Sequence, residues 1–68
     1  MNINVLCFPA EDKSSGKWRV MVMTRTTQGI NEVVKVMIVE GEYESEDIAR
    51  MTASVLQSQF LKAVQKNA

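Results

Sequence analysis

Histidine is absent from this sequence, and cysteine occurs once, at Cys7. These two shortages remove most of the familiar chemistry. No Ser–His or Cys–His pair can be assembled, an intramolecular disulfide is impossible, and a His/Cys metal site has no ligands to draw on. Cys7 sits in an apolar segment with no activating base nearby, which makes it a packing residue and not a nucleophile. Glycine is also scarce, and Gly16, Gly29 and Gly41 lack the spacing of a phosphate-binding loop. No catalytic residue, cofactor or metal is therefore expected, and the chain reads as a non-enzyme.

Charge of one sign is lacking too. Eight Lys and Arg balance eight Asp and Glu, so no net field steers the chain toward nucleic acid or an anionic membrane. No run approaches the ~18 apolar residues of a membrane span. MNINVLCFPA has no positive region ahead of its short apolar stretch, unlike a secretory signal. With a lone unpaired thiol, which suits a reducing compartment, the expected setting is the cytoplasm, with no membrane partner.

What is present is a small amphipathic α+β pattern, expected to form a single domain over residues 1–68. A domain of this size buries only ~60% of its unfolded surface. Below ~70 residues a chain usually needs disulfides, a metal, oligomerisation or very good packing; here association is the aid that remains. Residues 2–8 and 17–26 alternate as strands, with PAEDKSSG between them as an exposed loop. Residues 31–40 form a third strand, EGEYES a crossing, and residues 46–66 a helix without Gly or Pro. The class is three antiparallel strands packed on one C-terminal helix, β-β-β-α, with the neighbour of the first strand left open.

Ser45 is placed to cap the helix, and Glu46 and Asp47 suit its positive end. Lys62 and Lys66 suit the other end. At ~100° per residue, Ile48, Ala49, Thr52, Val55, Leu56, Phe60, Ala63 and Val64 share one arc, with Arg50, Ser54, Gln57 and Gln65 opposite. Between the second and third strands, a three-residue Gln28–Gly29–Ile30 loop pairs Val20 with Ile38 and Val22 with Val36. That register is preferred over a Gln28–Gly29 loop because it sends apolar side chains to the helix. The expected core is Ile3, Val5, Trp18, Val20, Val22, Val34, Val36 and Ile38.

The other sheet face would then carry Leu6, Phe8, Arg19, Met21, Met23, Arg25, Val33, Lys35, Met37 and Val39. That is too apolar for a solvated face, and a patch of this kind marks an interaction surface. Methionine suits such a role because its flexible chain adapts to a partner. Arg19, Met21, Met23, Arg25, Lys35 and Met37 are the expected partner-binding residues, for a second copy or another protein. A very short chain without a catalytic set is typical of accessory regulators and inhibitors, including those carried by bacteriophages.

Two rival readings follow from charge. EGEYESED, residues 40–47, could hold a cation or mimic phosphates, although a solvated crossing with favourable helix-start charge explains it more simply. Arg19, Arg25 and Lys35 on one sheet face suggest nucleic acid. In order of elements alone, and in no motif, GKWRV with its following strand and helix is similar to integrase arm-binding and plant AP2-type domains. Such domains lay a three-stranded sheet into the major groove. Overall neutrality makes this the less favoured alternative.

Overall fold

The computed structural model describes residues 2–66; the side chains of Gln65 and Lys66, assigned above to the polar face and the helix end, lie outside the described residues. Strands β1 (Asn2–Asp12), β2 (Lys17–Gln28) and β3 (Asn31–Ile38) precede helix α1 (Glu46–Lys66). The sheet is antiparallel throughout, in the order β1-β2-β3. The β-β-β-α class is thus the observed one, with β1 against β2.

β1 runs four residues past Phe8, through Pro9 to Asp12. Proline does not break it for a geometric reason. Trp18 exchanges both backbone hydrogen bonds with Tyr43, each 2.7 Å, so even-numbered residues of β2 direct their polar groups away from β1. In the β1–β2 register, Pro9 lies opposite Val20, a position whose N–H would point to the sheet's outer edge. A missing donor there costs no ladder bond. Asp12 then closes the turn: its backbone carbonyl accepts from Gly16 N–H at 2.8 Å, and its carboxylate accepts from Ser14 N–H at 3.0 Å and Ser14 Oγ at 2.6 Å.

The second turn departs from expectation. Gln28 lies opposite Asn31, leaving Gly29 and Ile30 as a two-residue loop. Gly29 has φ +60° and, among the described residues, no non-glycine residue has positive φ, which fits a turn with glycine at its first central position, the II′ arrangement that matches strand twist. The register is therefore Val22 with Met37, Met23 with Val36 and Met21 with Ile38. One residue of slip reverses a whole strand, so Val34, Val36 and Ile38 lie on the face away from the helix, and Lys35 and Met37 on the helix side.

After Val39 N–H donates to Val20 O at 2.9 Å, the chain leaves the ladder and rejoins it at Tyr43. Gly41, at φ +126°, makes this excursion possible, since a Cβ there would stand 3.3 Å from the Tyr43 hydroxyl. Ser45 caps α1 as expected, its Oγ accepting from Ile48 N–H at 3.3 Å. Glu46 and Asp47 occupy the first turn.

The helix packs across β1 and β2 and makes no contact with β3 among the described residues. The core is correspondingly narrow: Val5, Cys7, Val20, Val22, Ala49 and Ala53 are buried, flanked by Trp18, Val39, Tyr43, Leu56 and Val64. Two alanines at the contact let the helix axis approach the sheet. Of the expected core, Ile3 is 37% exposed, and Val34, Val36 and Ile38 are exposed on the opposite face. The helix is also turned from its expected orientation, so Ile48 and Val55 point outward beside Met51 while Ala53 points in.

Candidate interaction surface

Alternation along the strands builds the open face of the sheet from three rows. β1 contributes Asn4, Leu6, Phe8 and Ala10; β2 contributes Arg19, Met21, Met23 and Arg25; β3 contributes Glu32, Val34, Val36 and Ile38. Leu6, Met23 and Val36 form one cross-strand line, and Phe8, Met21 and Ile38 form the next. No charge interrupts these two lines. Leu6, Val34, Val36 and Ile38 are 45–59% exposed, whereas Phe8, Met21 and Met23 are half-buried by their neighbours.

Of the six residues singled out from sequence, Arg19, Met21, Met23 and Arg25 come together on this face. Lys35 and Met37 do not: the Gly29–Ile30 turn places them on the helix side. Val34, Val36 and Ile38 take their place, so no charge lies at the centre of the face. The signal that would have found them is the turn itself. Glycine at the first of two loop positions favours the II′ hairpin, whereas a Gln28–Gly29 loop would force glutamine into positive φ.

The arginines bound the face at its two ends, and both are paired. Arg19 donates to Asp12 at 3.3 Å and to Glu42 at 2.8 Å, and Arg25 meets Glu32 at 2.9 Å. Lys17 lies 3.7 Å from both Glu42 and Glu44. Much of the acidic segment is thus occupied by local partners, including the Glu46–Arg50 pair one helical turn apart. Asp12 has its pKa lowered, first by the Ser14 hydroxyl and backbone N–H, then by Arg19. A shallow depression at this end is lined by Ala10, Asp12, Arg19, Met21 and Ile38 among others.

Elsewhere little chemistry is assembled. Burial pushes the Cys7 thiol pKa up, the opposite of what an attacking thiolate requires. Among the described residues, no group of three His, Cys, Asp or Glu is placed to hold a metal, and no helix is long and apolar enough to cross a membrane. The edges of the sheet differ at two positions, although Ile3, Val5 and Glu11 of β1 also direct backbone groups outward. On β1, Pro9 has no N–H, and the Cys7 N–H donates to Gln57 Oε1 of the helix at 3.0 Å, a role the helical arc assigned to solvent. On β3, Glu32, Val34, Val36 and Ile38 direct their backbone groups outward, and nothing among the described residues meets them.

No family model, curated protein or solved structure matches this chain.

Proposed function

We propose that this protein is a small non-enzymatic binding module, an accessory regulator or inhibitor, working through protein–protein contacts on the open face of its sheet. The observation that carries this reading is the uninterrupted apolar surface of Leu6, Phe8, Met21, Met23, Val34, Val36 and Ile38, with its arginines at the ends. An antiparallel sheet that faces water on one side alternates apolar with polar residues; this one is apolar on both sides. Two methionines at the centre supply adaptable packing, and the flanking strands supply β-branched and aromatic bulk. The partner's matching surface is apolar at its centre. The unpaired thiol of Cys7 supports a cytoplasmic setting.

Nucleic acid receives less support. Arg19 and Arg25 each hold a carboxylate, and Lys35 lies on the other face. Phosphate contacts would first have to displace these pairs.

The test is photo-crosslinking from position 21, with a photoreactive methionine analogue, in the cells that make the protein. A discrete adduct containing a second protein chain is expected, and Met23→Glu should abolish it while leaving the far-UV spectrum unchanged. The same probe at Ile30, fully exposed at the turn, is the control. Equal adducts from positions 21 and 30, or an adduct insensitive to Met23→Glu, would overturn the proposal.

A further inference from the structure

We propose that a second copy of this chain adds to the free edge of β3, antiparallel and centred on Val36, joining two three-stranded sheets into one of six strands. The surface involved is the edge and not the open face, so this inference stands apart from the reading above.

The first support is the asymmetry between edges. Proteins blunt exposed edges with proline, charge or a covering element. β1 has Pro9 and the Gln57 cap on Cys7, whereas β3 has neither a proline nor a helix beside it, and its two charges are Glu32, paired with Arg25, and Lys35. All eight residues of β3 are exposed, although most are apolar.

The second support is area. A compact chain of 7.7 kDa is expected to expose ~4,300 Å², and this one exposes 5184 Å². The excess, roughly 900 Å², is close to the ~800 Å² that each partner contributes to a standard interface. The radius of gyration agrees: 13.4 Å against ~10.9 Å for a compact domain of this length. A single copy thus exposes more surface than a compact monomer of its mass, by about as much as one side of a standard interface covers.

The third support is that the edge is complementary to itself. Only Glu32, Val34, Val36 and Ile38 point their backbone groups outward, so even-numbered residues must meet even-numbered residues. Centring on Lys35 would oppose two ammonium groups, which is unfavourable. Centring on Val36 sets Val34 against the second copy's Ile38 on the open face. On the helix side it lays the Lys35 stem along Met37, where an aliphatic stem covers apolar surface well. The two-fold axis makes the interface isologous, the usual closed arrangement.

The experiment is molar mass by light scattering and sedimentation from micromolar to millimolar concentration, on the unaltered chain, Val36→Pro and Val36→Thr. The nitrogen of Val36 points away from β2, so proline removes no bond of the β2–β3 ladder. Expected are a concentration-dependent dimer for the unaltered chain and for Val36→Thr, and a folded monomer for Val36→Pro. If the proline variant fails to fold, amide exchange on the unaltered chain decides. The Val34, Val36 and Ile38 amides should slow on the order of 10–100-fold as the dimer forms. A monomer at every concentration would overturn the proposal. So would a dimer whose edge amides exchange as freely as in the monomer, since the second copy would then sit on another surface. Neither result depends on crosslinking from Met21, so the edge and the face are tested separately.

Discussion

Gln57→Ala probes the β1 edge, where one side chain of the helix meets one outward backbone donor. The Gln57 Oε1 accepts from Cys7 N–H at 3.0 Å in a partly buried position. Removing it leaves a backbone donor with no protein partner, at a cost of about 1–3 kcal/mol when water cannot replace it. Because the site is only partly buried, the lower half of that range applies, ~1–2 kcal/mol. The whole domain is expected to hold ~3–10 kcal/mol at 0.05–0.15 kcal/mol per residue, so the loss is a sizeable fraction. Urea denaturation, at concentrations where self-association is negligible, should show the midpoint falling by about 1 M. The Cys7 amide should exchange ~5–30-fold faster, the same energy read locally. Gln57→Glu keeps an acceptor at neutral pH and should behave much like the parent. If Gln57→Ala leaves both the midpoint and the Cys7 exchange rate unchanged, the argument that this side chain closes the β1 edge is wrong.

Two further outcomes follow from the core and the first turn. Among the described residues, Val20 is the largest side chain with no exposed surface; Val20→Ala should destabilise by ~2–3 kcal/mol, read from the same denaturation curves. The Asp12 carboxyl has a folded-state pKa held below its free value by Ser14 and Arg19. Its stabilisation is therefore complete above the ordinary carboxyl range near ~4 and lost as pH falls through the lowered folded value. Asp12→Asn should weaken that acid dependence, and an unchanged profile would show that the turn does not depend on the carboxylate.

The elements were legible because each carries a local signal. The helix has a capping serine with two acids behind it, and β1 and β2 alternate cleanly. The orientation of β3 was not legible for a physical reason. Burial preference favours the three-residue loop only if the helix covers the strand. Here α1 covers only β1 and β2, so the turn chemistry of Gly29 decides instead, and it decides the other way. Pro9 misled similarly: a proline ends a strand only where its nitrogen must donate. The site was half legible. Arg19, Met21, Met23 and Arg25 share a face as expected, while its third row needed the register.

The helix's indifference to β3 sets an order of events in folding. Cys7 and Gln57 are fifty positions apart, and closing a loop of that length costs ~3.5 kcal/mol before any contact repays it. The two hairpins close far shorter loops but gain a core only when α1 arrives. At that moment β1 and β2 are locked in place, while β3 gains nothing from the helix and, within one copy, is held by its ladder to β2 alone. On partial unfolding of a single copy β3 should therefore detach first, leaving β1, β2 and α1 as the last structured unit.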